Sequence, residues 1–388
     1  MKNIFHFLFN KLFAQLLMRS TPGGEIKKIL ISGYTGLGHF ILRTALINKI
    51  EELYPECEIF VIAGDKDGSE CVVPERKTFI LWYDSGLFRK VLFFLKLRKE
   101  KIDVIFLSFD ASPAFLIKGS ILAGIPIRVG HLFEEVPVPS YYYTHKVAVR
   151  RDENNQIDWN LDLLQALYTK GFSREHRLSI HPNTKLTILN DYALNAGNYI
   201  CIQIAGANGA LVAASSKIWI EDNFKILIEE LLMYYQDLKI VALGDKGDSI
   251  RVNRVCDKII SDRLLNLSGK TTIQEVISII SSCKLLICHD SGLMHLGNAL
   301  QKNVIALHGM SEPDIYQKNL STCHILQKKC DCPGLGSIFP YNSDYACVNA
   351  AAGFALCMER LTVEEVYAKC VELLDGNPKM NPVSFIEV

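Results

Sequence analysis

The sequence predicts an α/β protein with two parallel-sheet domains facing one another across a cleft. Three observations carry this. Strand-like and helix-like runs alternate along the chain, the pattern of strand–helix–strand units. The alternation starts afresh near residue 199. Runs such as Leu285-Leu286-Ile287-Cys288 and Val304-Ile305-Ala306-Leu307 are apolar throughout, as strands covered on both faces must be. At 388 residues the chain has room for two domains of roughly 100–200 residues each.

Taken in order, Lys28–Ser32 is predicted as a strand, followed by a glycine-rich turn and a helix to about Leu53. Glu58–Ala63, Ile102–Ser108 and Ile127–Gly130 are predicted strands, and Leu87–Arg98 a helix. In the second half the predicted strands are Tyr199–Ile204, Lys239–Leu243, Lys284–Cys288 and Val304–Leu307. The predicted helices there are Ile218–Tyr235, Thr272–Ser282 and Gly292–Leu300. The polar stretch 173–198, with His181-Pro182-Asn183, holds the boundary, giving domains of 1–190 and 191–388. No solenoid period or low-complexity tract interrupts the pattern. Two Rossmann-like domains are the simplest architecture, with ligands at the carboxyl ends of the strands.

Composition narrows the classes. Lys+Arg and Asp+Glu are both 42, so the net charge is zero, which argues against a nucleic-acid partner held by bulk charge. The twelve cysteines are scattered, and Cys201 and Cys288 sit in strand-like runs. With no secretory signal, they read as reduced thiols of a cytoplasmic protein. The opening MKNIFHFLFNKLFAQLLMRS is apolar, but Asn10 and Lys11 interrupt it short of the roughly 20 residues that span a bilayer. Ile4, Phe5, Leu8, Phe9, Leu12, Phe13, Leu16 and Leu17 share one helical face. Residues 1–19 therefore read equally as a helix lying in a membrane interface or as one packed against protein.

Four constellations carry chemistry. Gly33-Tyr34-Thr35-Gly36-Leu37-Gly38-His39 follows the first strand. Glycines at such a turn bring main-chain N–H groups close to a ligand, or simply allow a tight turn. The spacing G-x-x-G-x-G is not the G-x-G-x-x-G of dinucleotide enzymes, which disfavours a dehydrogenase. Ser215-Ser216-Lys217-Ile218-Trp219 opens a predicted helix. A cation there opposes the helix dipole, so Lys217 either faces an anion or is solvated. Cys288-His289-Asp290-Ser291-Gly292-Leu293-Met294-His295 passes from strand to helix. A carboxylate, a hydroxyl and a helix N-terminus suit a phosphorylated, polyhydroxylated ligand, or serve only as a helix cap. Finally, Cys330, Cys332, Cys347 and Cys357 supply enough thiols for a structural zinc or iron, although Cys-x-Cys is tighter than the usual spacing.

The segment DSGLMHLGNALQKNVIALHG resembles the signature of glycosyltransferase family 9, the heptosyltransferases of lipopolysaccharide synthesis. Other blocks resemble it in order and spacing: LISGYTGLGHFILRTALINKIEELYPECEI, SKIWIEDNFKILIEEL, IVALGDKGD and LLNLSGKTTIQEVISIISSCKLLICHD. The resemblance is good over the second half, fair over the first 60 residues and loose over 65–198.

It implies a GT-B fold, with a nucleotide-sugar held mainly by the C-terminal domain and an acceptor by the N-terminal one. It implies an inverting transfer, usually from ADP-heptose, that needs no metal cofactor. Asp65-Lys66-Asp67, the one Asp-x-Asp, is then a solvated loop. Lys217 and N–H groups near Ser291 and Gly292 would stabilise the leaving diphosphate. Asp290 would hold sugar hydroxyls, and His295 would brace the loop or touch a phosphate. Asp248 matches a ribose-binding acid, and Thr271 lies in the block lining the base. Thr35, Gly36 and Gly38 would line the first turn. The family's base, an Asp directly after this turn, is replaced here by His39. A neutral imidazole can accept a proton near pH 7. The replacement thus leaves open an active enzyme, acting on a glycan such as lipopolysaccharide core or on a protein, and a silent nucleotide-sugar-binding relative. The cysteine region resembles the four-cysteine iron site of autotransporter heptosyltransferases. An acceptor linked to lipid would place the protein at the inner face of the cytoplasmic membrane.

Overall fold

A computed structural model describes residues 25–33, 36–64, 72, 77–81, 86–108, 114–132, 142–149, 155–181, 187–206, 217–309, 311–317, 321–328 and 355–376. The chain divides into two compact units, 1–181 and 182–388.

The first unit runs β1 (Lys28–Gly33), α1 (Leu37–Leu53), β2 (Glu58–Ala63), β3 (Lys77–Ile80), α2 (Leu87–Lys99), β4 (Val104–Leu107), α3 (Ala114–Leu122), β5 (Ile127–Leu132), β6 (His145–Ala148) and α4 (Gln156–Leu167). Its six strands are parallel, in the order β3-β2-β1-β4-β5-β6. The second unit runs α5 (Ile188–Asp191), β7 (Tyr199–Gln203), α6 (Glu221–Tyr234), β8 (Lys239–Leu243), α7 (Ser249–Cys256), β9 (Leu264–Asn266), α8 (Ile273–Ser282), β10 (Leu285–His289), α9 (Gly292–Ala299), β11 (Val304–His308), α10 (Asp314–Gln317), β12 (Cys323–Gln327), α11 (Leu356–Glu359) and α12 (Val363–Asp375). Its parallel sheet has the order β12-β11-β10-β7-β8-β9. Counted within each unit, both sheets read 3-2-1-4-5-6, the doubly wound order whose crevice lies where the order reverses. That crevice falls between β1 and β4 in one unit and between β7 and β10 in the other.

The strands explain themselves. All five residues of β7, β10 and β11 are buried, because helices cover both faces. Ile200, Ile202, Phe224, Leu227, Ile228, Leu231, Leu285 and Ile287 share one core with Ala355, Met358 and Val366 from the chain's last helices. Helix ends are set by local chemistry. Thr272 and Thr362 each form a capping box, with Glu275 and Glu365 respectively. Asn155 accepts the N–H groups of Ile157 and Asp158 and so starts α4.

Three details differ from the sequence-based expectation. The helix expected from Ile218 begins at Glu221, with two acids in its first turn. Lys217 therefore precedes the helix and does not oppose its dipole. The division falls at His181/Pro182, inside the stretch 173–198 expected to hold it but ahead of the expected bound at 190, and the short α5 packs on α8 of the second unit. Gly36, the N-cap of α1, has φ −56°, and a Cβ there would meet nothing within 4 Å, so neither conformation nor space requires glycine.

Candidate functional site

The functional side chains of the second unit gather at the carboxyl ends of its strands. β10 ends in His289, followed by Asp290 and Ser291, and α9 begins at Gly292. Asp290 is buried, and Lys217 Nζ donates to its Oδ2 across 2.6 Å. Ser311 Oγ donates to the same oxygen at 2.7 Å. Two buried charges must pair, and these do. Burial alone would push the Asp290 carboxyl up, but Lys217, His308 and the hydrogen bonds from Lys217 and Ser311 hold it well below the usual carboxylate range. Lys217 and Asp290, assigned separate ligand contacts on the sequence, are thus each other's partner first.

Lys217 is held in place by its neighbour. The Trp219 backbone N–H donates to His289 Nε2 at 3.0 Å, and the Trp219 indole N–H donates to the Leu361 carbonyl at 2.8 Å. Phe224 packs edge-on against both the Trp219 and His289 rings. Burial, helped by Arg251, pushes the His289 imidazole down to about 3, so it is neutral and its Nε2 is free to accept. His308, at the end of β11, is fully buried beside Asp290 and is likewise held low, chiefly by burial.

Ser291 is the N-cap residue of α9, but its hydroxyl does not cap the helix. It donates to Gln203 Oε1 at 2.7 Å, joining the end of β7 to the end of β10 across the reversal of strand order. The main-chain N–H groups that open α9 at Gly292 therefore have no side-chain cap among the described residues. His295 is buried on the same helix.

A second cluster lies at the ends of β8 and β9. Asp245 and Asp248 exchange backbone-to-carboxylate hydrogen bonds at 2.9 and 3.1 Å. Burial, with Asp245 nearby, raises the Asp248 carboxyl. Gly269 has φ +68°, and its N–H donates to the Gly244 carbonyl, so the loop after β9 lies against the loop after β8. A Cβ on Gly269 would meet Ser249 Oγ at 2.6 Å. Thr271 follows on that loop. Its buried hydroxyl has no hydrogen-bond partner among the described residues, and the next residue, Thr272, is the cap of α8.

In the first unit, His39 sits in the first turn of α1, where its Nδ1 meets the side-chain amide of Gln156, with Nε2 at 2.8 Å and Oε1 at 3.1 Å. Gln156 is buried and opens α4. Gly38 is buried in that turn of α1. Thr35, residues 1–19, the Asp65-Lys66-Asp67 loop, Cys330, Cys332 and Cys347 lie outside the described residues. Cys357 is buried in the second unit's core on α11. Among the described residues no three His, Cys, Asp or Glu side chains group as metal ligands.

The model of glycosyltransferase family 9 (heptosyltransferase) matches residues 93–331, more than half of the chain. The chain belongs to glycosyltransferase family 9. Among its relatives, lipopolysaccharide heptosyltransferase 2 of Salmonella typhimurium is 26% identical over 141 residues, covering 36% of this chain and 39% of that protein. The match thus spans well under two thirds of the curated relative. The solved structure of Escherichia coli ADP-heptose lipopolysaccharide heptosyltransferase II matches with TM-score 0.71 at 17% identity, over 90% of this chain and 99% of that one. The iron-containing dodecameric glycosyltransferase TibC of enterotoxigenic E. coli matches with TM-score 0.55 at 13% identity, over 91% and 78%. These likenesses assign the fold to the GT-B heptosyltransferases.

For a family 9 chain, the residues that sequence reasoning overlooked are Gln156, Gln203, His308 and Ser311, and His289 was singled out in its cluster but given no role. Gln156 carried a signal: Asn155 is a cap residue ahead of the helical run IDWNLDLLQAL. Gln203, His308 and Ser311, and the role of His289, are identified by contacts that only the sheet creates.

Proposed function

We propose that this family 9 chain moves a heptose or related sugar from an ADP-sugar to a glycan acceptor such as lipopolysaccharide core. The observation carrying this is the Lys217–Asp290–Ser311 cluster beside the uncapped start of α9, at the reversal of strand order. An anion-seeking helix N-terminus flanked by a buried cation suits a leaving diphosphate. Asp248 and the unpartnered Thr271 hydroxyl, on adjoining loops, suit the nucleoside.

In this reading His39, oriented by Gln156, takes the proton from an acceptor hydroxyl. The hydroxyl oxygen attacks the anomeric carbon from the face opposite the diphosphate. The new glycosidic C–O bond forms as the sugar–phosphate C–O bond breaks, with inversion. The departing ADP takes the bonding pair, and Lys217 with the α9 N–H groups steadies its charge. No step requires a metal. A structural zinc or iron on Cys330, Cys332, Cys347 and Cys357 remains a separate proposal, because the one described ligand is a thiol in an apolar core. The second reading, a silent nucleotide-sugar-binding relative, is favoured by His39 standing where the family has its Asp.

Incubating the pure protein with ADP-heptose and lipopolysaccharide core, with and without a chelator, tests both. Transfer with inversion and no loss on chelation supports the enzyme. Donor binding without transfer to a glycan or a protein acceptor supports the silent relative. No donor binding overturns both.

A further inference from the structure

Among the described residues of the first unit, the exposed large apolar side chains all lie on helix α2. Leu87, Phe88, Leu92 and Leu95 are 79%, 75%, 48% and 44% exposed. At about 100° per residue, Phe88, Leu92, Leu95 and Lys99 form one stripe along the helix. Arg89 and Lys96 stand beside that stripe, and both are exposed, as is Lys99. The sequence of α2, LFRKVLFFLKLRK, holds five basic residues and no acid. Its other side is conventionally packed. Phe94 and Leu97 are buried, and Phe94 lies where a Cβ on Gly119 of α3 would be. Phe93 meets Phe79 and Phe94 edge-on, and Lys90 sits 4.2 Å over the Phe115 ring. The helix is thus firmly seated, and its outward apolar stripe is not the residue of a loose core.

We propose that α2 docks this protein on an anionic phospholipid surface. An apolar stripe flanked by cations, on a helix with no acid, matches the acyl–headgroup boundary of a negatively charged bilayer better than it matches a second protein surface. The proposal deepens the functional reading, since it rests on an acceptor carried in a membrane. Phe88, Leu92 and Leu95 enter the acyl boundary while Arg89, Lys96 and Lys99 meet lipid phosphates.

The test is co-sedimentation of the full chain with vesicles of phosphatidylcholine alone or with phosphatidylglycerol added to make the surface negative, without donor or acceptor. Binding to anionic vesicles only, weakened at high salt, is expected. Phe88→Ser with Leu92→Ser should abolish it, and Arg89→Glu with Lys96→Glu should weaken it more than tenfold, with the fold unchanged by circular dichroism. Binding equal to the parent in both double variants overturns the proposal, as does loss only on removing residues 1–19. Sedimentation as a dimer that the serine variants make monomeric overturns it in favour of a second copy. None of these outcomes depends on sugar transfer, so failure here leaves the transferase reading standing.

Discussion

Lys217 Nζ and Asp290 Oδ2 lie 2.6 Å apart, both side chains buried, one from the segment ahead of α6 and the other from the end of β10. A buried pair is weak evidence for stability but strong evidence of cost when broken, because a lone buried charge remains.

Lys217→Ala should therefore lose both stability, by about 3–5 kcal/mol, and turnover, by roughly 10²–10³. Replacing both partners, Lys217→Met with Asp290→Leu, should restore stability and leave turnover low. Denaturant titration beside an activity assay separates the two. A double variant that recovers turnover would remove the pair from catalysis.

Asp290→Asn bears on the sugar. If the carboxylate acts only as counter-ion to Lys217, ADP and ADP-heptose affinities should fall together. If it also grips sugar hydroxyls, ADP-heptose should fall further. Calorimetry with the two ligands decides.

His289 makes the fold acid-sensitive. Its imidazole is neutral in the folded state, held to about 3, whereas an unfolded histidine titrates near 6.5. Between these values the unfolded chain binds more protons, so stability is full above about 6.5 and falls as pH drops toward 3. From His289 alone the loss by pH 5 is on the order of 2 kcal/mol. His289→Gln keeps an acceptor for the Trp219 N–H and removes the titration. Its stability should change less than the parent's between pH 7.5 and 5 in urea melts. Parallel curves would contradict the assignment.

Among the described residues, the buried Thr271 hydroxyl has no partner. An unsatisfied buried polar group costs about 1–3 kcal/mol. Thr271→Val should raise the melting temperature of the ligand-free protein while weakening ADP binding. Weaker binding without the gain in stability would mean that the hydroxyl has a structural partner.

His39→Ala should lower turnover about 10²–10⁴ with donor affinity little changed, the range for a general base. Gln156→Leu should cost up to about tenfold, the scale of one neutral hydrogen bond, and should leave the donor dissociation constant alone. Steady-state kinetics beside donor titration reads both. A His39→Ala variant as fast as the parent would move the base elsewhere.

The sequence by itself determined the four inner strands of each sheet and the places where chemistry collects. β10 and β11 were legible because strands buried on both faces must be apolar throughout, and short runs such as Leu285–Cys288 have no other economical explanation. The polar cluster after β10 was legible because it sits in a block that resembles the family 9 signature; alone, carboxylate, hydroxyl and glycine there would equally suit a helix cap. Less legible were the edge strands β3, β6, β9 and β12, whose runs are short or partly polar, and α4, which lies in the stretch of weakest family likeness. Tertiary structure alone decided the partners. Lys217 meets Asp290, Ser291 meets Gln203 and His39 meets Gln156 across separations of 73, 88 and 117 residues. No local pattern encodes such pairs. Each follows from parallel strand order, which brings distant strand ends to one edge, and from burial, which makes pairing of the charges and amides placed there favourable.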